Sequence, residues 1–245
     1  AIMKINTFLL VVVQPGDVIE IDADYEGKGY RDVRFSGSSA ESIAASEALN
    51  RIRNERLGRR YKTNIPAALA IQTPADVFYN TTLDEWNMEL EILDEYKSKL
   101  SDKVYNFVRS ELDAIFIPNI ISYPGNNMMD GFWTALDNYV LRDDDASLRN
   151  SSYMGMLQVY MRYMMMKGAK ESNEEFVQPA SVEDEYNMIV NFYDGKLRDA
   201  ALLVYLYGSL ASGNDFDTVE KLVKDYTEKY NHNEKYLKML TAVMK

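Results

Sequence analysis

The stretch VVVQPGDVIEIDADY, residues 11–25, decides the fold. Pro15 is followed by Gly16. Proline holds φ near roughly −65° and glycine accepts φ > 0, the pair a type II turn needs. Beyond the turn the chain alternates. Ile19, Ile21 and Ala23 fall on one face, and Glu20, Asp22 and Asp24 on the other, the period of a half-buried strand. Before the turn, INTFLLVVV (residues 5–13) is rich in strand formers with apolar residues on both faces, which predicts a buried strand. Further on, EGKG (residues 26–29) reads as a turn and YRDVRF (residues 30–35) as a third short strand. Three strands cannot stand alone, so helices or further strands must cover them. The chain opens AIMKINTF, with Met3 inside it, and enters a strand almost at once. That start is expected to be processed or cut, with neighbouring strands removed upstream.

From SGSSAE (residues 36–41) onward the hydrophobic period becomes helical. Capping boxes, in which a short side chain and an acid three residues later exchange bonds with orphan amides, are expected at four places. They are Ser38 with Glu41, Thr82 with Glu85, Ser181 with Asp184, and Asp217 with Glu220. Apolar residues three and four apart follow them: Leu83, Trp86, Leu90 and Leu93; Tyr153, Leu157, Tyr160, Met161 and Met164; Leu203, Leu206, Tyr207 and Leu210; Val219, Leu222, Val223 and Tyr226; Tyr236, Leu240 and Val243. Breaks are expected at Gly58, Pro74, 118–127, 142–150, 167–175 and Gly213. This predicts eight to ten helices after residue 38. The fold class is α+β: a small antiparallel sheet at the N-terminus, residues 1–37, followed by a large helical bundle, residues 38–245, packed on it as a second subdomain or as one continuous domain.

The totals exclude several chemistries. The chain has 245 residues, 47% of them apolar, and carries 27 Lys and Arg against 38 Asp and Glu, a net charge of −11. An acidic surface repels phosphate backbones, so no nucleic-acid partner is expected. There is no cysteine, which removes disulfides, thiol catalysis and Cys-ligated zinc together. The longest apolar run, Phe8 to Val13, is too short to span a membrane.

Candidate chemistry is sparse. The single histidine, His232, lies between two asparagines in KYNHNEKY and reads as a surface or capping residue. DADYEGKGYRDV (residues 22–33) begins like a calcium loop, but Val33 stands where the bidentate Glu belongs, and its first half suits a strand. Asp143 to Asp145 read as a solvated loop. No glycine pattern forms a phosphate cradle, and no serine elbow or triad can be assembled. A pair of carboxylates for glycoside hydrolysis is a third-ranked reading among the many acids. No catalytic residue, cofactor or metal is assigned.

The oddest composition is YMGMLQVYMRYMMMK, residues 153–167. Met154, Met156, Met161, Met164, Met165 and Met166 crowd one helix. Methionine fills irregular cores and also lines adaptable contact surfaces. Core filling is the default, and Met154, Met161, Met164, Met165 and, near the C-terminus, Tyr236 are the candidate interaction residues. The 18 tyrosines recur inside apolar stripes, which suits core residues whose hydroxyl tips are hydrogen-bonded; an aromatic-lined groove is the second reading.

Taken in order, these segments resemble the N-terminal region of Bacteroidetes-type TlpA-like thiol-disulfide oxidoreductases. The resemblance rests on Pro15, Gly16 and Asp17 between two strands, then Phe35, Ser36 and Gly37 leading into a helix. It continues through SLRNSSYMGMLQVYMRYMM (residues 147–165), through Gly195, Arg198 and Asp199 in YDGKLRDAALLVYLYGSL, and through the closing YTEKYNHNEKYLKMLTAVMK. It spans nearly the whole chain. Two features depart from it. An asparagine usual shortly after F-S-G has no counterpart in SSAESIAAS, and the thioredoxin domain with its W-C-x-x-C motif is absent. Thiolates perform thiol-disulfide exchange, so a chain without cysteine cannot. The resemblance therefore implies a non-catalytic region that recruits substrate, dimerises or docks a thioredoxin domain, in the cell envelope, most naturally the periplasm. The implied partners are a thioredoxin domain of the same or another chain, a protein or peptide substrate, and a second copy in a homodimer. The alternative is a stand-alone envelope protein that binds peptide or glycan.

Overall fold

The computed structural model describes residues 1–5, 9–25, 30–58, 62–125, 131–213 and 215–244. The architecture is α+β: two small antiparallel sheets at the N-terminus, then nine α-helices among the described residues. The chain divides into two compact units, one of residues 1–138 and 144–150, the other of residues 139–143 and 151–245. The expected boundary at residue 37 parts β elements from α elements. The compact units part elsewhere, because the strands bury their apolar residues against the first helices.

In the first unit, β1 (Ile2–Ile5) pairs antiparallel with β2 (Leu9–Val12), Ile2 opposite Val12. β3 (Ile19–Tyr25) pairs with β4 (Tyr30–Gly37), Ile19 opposite Gly37, with a bulge between Asp22 and Asp24. The expectation of one three-stranded sheet is corrected to two separate hairpins. Of the segment read as a single strand over residues 5–13, Ile5 ends β1 and Leu9–Val12 form β2, while residues 6–8 fall outside the described residues. The turn expected at residues 26–29 falls outside the described residues. The Pro15–Gly16 turn forms as predicted: Gly16 has φ +89°, and the Asp17 N–H donates to the Gln14 carbonyl at 3.2 Å. The alternation in β3 also holds, with Ile19, Ile21 and Ala23 half-buried and their acidic neighbours exposed. Leu9, Val11 and Val12 of β2 are buried on both faces.

Four helices complete this unit: α1 (Ala40–Leu57), α2 (Ile65–Ala70), α3 (Ala75–Glu95) and α4 (Asp102–Ser122). Its main core joins Val12 to Ala45, Ala48, Leu49 and Ile52 of α1, Ile92 and Leu93 of α3, and Val104, Val108 and Leu112 of α4. A second cluster stacks Phe78 on Tyr123, ring centroids 3.9 Å apart.

Three of the four capping boxes are corrected. The N-cap of α1 is Ser39, whose hydroxyl accepts from the Val18 N–H at 2.8 Å, and Glu41 turns to Gln14 and to the Ser101 N–H. Thr82 and Glu85 lie inside α3, fully buried, because the helix begins after Pro74. The N-cap position of α8 is Asp215, which makes no side-chain cap hydrogen bond, and Asp217 lies in the first turn. The break expected from Pro118 is also wrong. α4 runs through it to Ser122, since Phe116, Ile117 and Ile120 around it are buried and burial overrides local propensity.

The second unit contains α5 (Ser151–Glu171), α6 (Val182–Phe192), α7 (Gly195–Ser212), α8 (Phe216–Lys229) and α9 (Glu234–Val243). Ser181 caps α6 as predicted, its hydroxyl accepting from the Asp184 N–H at 3.0 Å. α7 is the hub. Ala200, Ala201, Leu202, Leu203 and Leu206 are buried, and the helix packs on α5, α6, α8 and α9. Alanine at the contacts lets the neighbouring helices come close.

Candidate interaction surfaces

In the second unit two of the sequence-predicted residues, Met154 and Tyr236, meet. Met154 and Met161 of α5 are buried, with Met156 beside them, so this part of the methionine run fills core. Met164 and Met165 are half-buried and Met166 is exposed. Tyr236 of α9 is half-buried, and its hydroxyl donates to the Met154 sulfur at 3.8 Å. The surface left for a partner on α5 is therefore its C-terminal half, around Met164, Met165 and Met166.

Tyrosine tips staple the same unit. Tyr193 donates to the Leu157 carbonyl and Tyr205 to that of Val182, each at 2.7 Å. Tyr226 donates to the Asp199 carbonyl at 3.3 Å. Burial pushes the phenols of Tyr186, Tyr193 and Tyr226 far up, and that of Tyr205 to about 12. Arg198 and Asp199, which carry part of the resemblance, hold the turn between α8 and α9. The Asp199 carboxylate accepts from the His232 N–H at 3.0 Å. Arg198 donates to the Tyr193 carbonyl at 2.6 Å and stands 5.3 Å over the Tyr230 ring. His232 contributes its backbone to this joint while its side chain is exposed.

In the first unit, α1 closes the β2 edge of the β1–β2 hairpin. Ala1 and Val13 exchange both backbone hydrogen bonds at 2.9 Å. Bonded pairs alternate along an antiparallel ladder, so Ile2 opposite Val12 and Lys4 opposite Leu10 are non-bonded pairs whose N–H and C=O groups point away from the hairpin. On the β2 side α1 receives them. The Leu10 N–H donates to Asn50 Oδ1 at 3.0 Å, Asn50 Nδ2 donates back to the Leu10 carbonyl at 2.5 Å, and the Val12 N–H donates to Ser46 Oγ at 2.9 Å.

Beside that hairpin lies a groove of about 360 Å³, lined by Ile2, Leu10, Leu49, Ile52, Leu57, Leu112 and Ile115 together with Arg53, Arg56 and Glu111. Its volume falls within the range of ligand pockets. Leu57 at its lip is 59% exposed. Arg56 reaches inward to Glu89 of α3, donating through Nε at 2.7 Å and Nη2 at 2.6 Å, and its guanidinium lies 5.3 Å over the Phe116 ring. Burial and the neighbouring Arg56 lower the pKa of Arg53. The sequence held no signal for this groove, since its walls come from three distant stretches.

Two of the buried acids, Glu89 and Asp113, are ion-paired. Glu89 is gripped by Arg56, and Asp113 accepts from Arg109 one turn earlier at 3.2 Å. Asp144 of the acidic loop caps the turn after it, accepting from the Ala146 and Ser147 N–H groups at 3.0 Å. Residues 22–25 are strand, as the reading against a calcium loop requires. Among the described residues no group of three or more His, Asp and Glu side chains is placed to hold a metal ion, and no helix is long and apolar enough to cross a membrane.

Comparison with protein-family models, with curated proteins and with solved structures finds no match. The TlpA-like resemblance stands on the residues alone.

Proposed function

We propose that this chain is a non-catalytic recruiting and positioning module of a TlpA-like envelope thiol-disulfide oxidoreductase, working in the periplasm beside a thioredoxin domain. Its partners are that domain, on the same or another chain, and a protein substrate; a homodimer is a third arrangement of the same kind. The observation that carries the reading is where the resemblance residues stand. Pro15 and Gly16 make the turn between the two hairpins, and Asp17 accepts from Ser42 of α1. Gly37 closes β4 at φ +123°. Arg198 and Asp199 clamp the α8–α9 turn. Each is a joint in the scaffold, so the motif order is an order of architecture. With no cysteine in the chain, the exchanging thiol belongs to another domain.

The intact mass of the natural mature protein and the reading frame after Lys245 test this. A W-C-x-x-C thioredoxin domain following the chain is the expected result. A mature protein that ends near Lys245, with no thioredoxin domain that binds it, would replace this reading with a stand-alone envelope binding protein. The groove of the first unit favours peptide over glycan for that second reading, because its lining is mostly aliphatic.

A further inference from the structure

We infer that one turn of α5, carrying Met161, Met164 and Met165, is a site for a soft monovalent metal ion, copper(I), held by three thioether sulfurs. The inference goes beyond the recruiting role and does not depend on it. Four observations carry it.

The first is spacing. Met161, Met164 and Met165 stand at positions i, i+3 and i+4 of α5. Residues so spaced are neighbours on a helix surface, with Cβ atoms roughly 5–6 Å apart. Methionine is unbranched and flexible, so each sulfur can turn toward a common point.

The second is burial. Met161 is fully buried, while Met164 and Met165 are half-buried. Core filling accounts for Met154, Met156 and Met161. It gives no reason for two more thioethers at the half-exposed positions that follow. A turn that runs from core to surface lets an ion enter past Met164 and Met165 and come to rest against Met161.

The third is access. Gly168 follows at i+4 from Met164 and i+3 from Met165. A helical side chain leans back over the turn before its own Cα, so the residue at 168 is the one placed to cover Met164 and Met165. Glycine leaves that cover off. Glycine is unfavourable inside a helix, and no neighbour demands it here, since a Cβ at 168 would meet nothing within 4 Å.

The fourth is chemistry. Thioethers are soft, neutral donors that suit copper(I), whereas magnesium, calcium and manganese prefer oxygen. Zinc(II) is held by thiolate, imidazole and carboxylate. The chain has no cysteine and one histidine against 13 methionines, so thioether is the soft ligand it has in number. The cations flanking the turn are each met by an acid: Arg162 pairs with Glu185, and Lys167 with Glu171 at 3.6 Å. A net charge of −11 favours the approach of a cation.

The probe is copper(I), added without oxygen to the full chain in competition with a chromogenic copper(I) chelator; zinc(II) is the control. The expected result is one copper(I) per chain with an all-sulfur first shell in X-ray absorption, and no stoichiometric zinc. Leucine conserves the volume of methionine, so Met164→Leu and Met165→Leu keep the fold. Each is expected to weaken binding at least tenfold, since even a residue that only supports a metal ligand is worth about 10–100-fold. The double variant should show no saturable binding. Gly168→Leu keeps all three sulfurs and favours the helix, yet covers the turn, and should also weaken binding. Met239→Leu, at an exposed methionine of α9, should leave it unchanged. Binding no tighter than that of N-acetylmethionine would overturn the inference. So would binding retained by the double variant, unchanged affinity in Gly168→Leu, or nitrogen or oxygen in the first shell.

Discussion

Asn50 of α1 stands in for a β-strand beside Leu10: its side-chain amide accepts from the Leu10 N–H at 3.0 Å and donates to the Leu10 carbonyl at 2.5 Å. A helix thus satisfies the edge of a sheet. Asn50→Ala is expected to cost about 2–3 kcal/mol in urea unfolding, because two backbone groups lose their partner under cover of the helix. Asn50→Asp should cost at least as much. It keeps the acceptor for the N–H but sets a carboxylate against a carbonyl oxygen.

Two glycines near the hairpin junction separate two kinds of strain. A Cβ on Gly16 would meet open space, so Gly16→Ala pays only for its φ of +89°. That is about 1 kcal/mol. A Cβ on Gly37 would lie 2.3 Å from the Val18 carbonyl oxygen as well as at φ +123°. Gly37→Ala is expected to lose clearly more, above about 2 kcal/mol, and to raise amide exchange across β3 and β4 before the core exchanges.

Asp17 ties the Pro–Gly turn to α1. The Ser42 hydroxyl donates to its carboxylate at 2.5 Å and the Gln14 N–H at 2.6 Å. The Ser42 bond, with the Gln14 N–H helping, holds the Asp17 pKa below its ordinary 3.8. Burial pushes Glu41 up, but bonds from Ser101 and Gln14 outweigh it and leave that group lowered too. A carboxylate depressed in the folded state stabilises at pH above its unfolded value, and that contribution is lost as pH falls through the folded value. The stability of the protein should therefore drop below about pH 4. Asp17→Asn should be less stable than the parent at neutral pH, with the gap narrowing in acid, as urea unfolding across pH would record.

At the other end of the scale, burial raises the phenols of Tyr186, Tyr193 and Tyr226. Groups raised in the folded state stabilise fully below their unfolded pKa and lose that contribution as pH climbs above it. Tyrosinate absorbance should then show these phenols silent until the fold opens, well above about pH 10. Tyr193→Phe should remove about 1 kcal/mol, the worth of its bond to the Leu157 carbonyl, and leave the onset of alkaline unfolding nearly unchanged.

The tyrosines were legible because their spacing put them on apolar stripes, where a buried hydroxyl needs a partner. The alternation of Ile19, Ile21 and Ala23 and the Pro15–Gly16 pair were legible for the same local reason. α1 was harder to read. Its buried face includes Ser42, Ser46 and Asn50, polar residues consumed by β2 and by Asp17, so no clean apolar stripe marks it. The Thr82–Glu85 spacing misled because residues three apart also share a face inside a helix. There Thr82 bonds back to the Phe78 carbonyl at 2.7 Å. Of the interaction residues, the methionine run was visible as composition, but which methionines stay at the surface depends on α7 and α9, whose packing no local pattern encodes.

The central claim is that this chain supplies recruitment and no thiol chemistry. The most direct measurement is the rate of disulfide reshuffling in scrambled ribonuclease as a function of its concentration, catalysed by a thioredoxin alone and by the same thioredoxin fused after this chain. The account predicts a lower KM in the fusion with kcat unchanged, and no turnover by the chain by itself. An unchanged KM, or turnover by the chain alone, would contradict it.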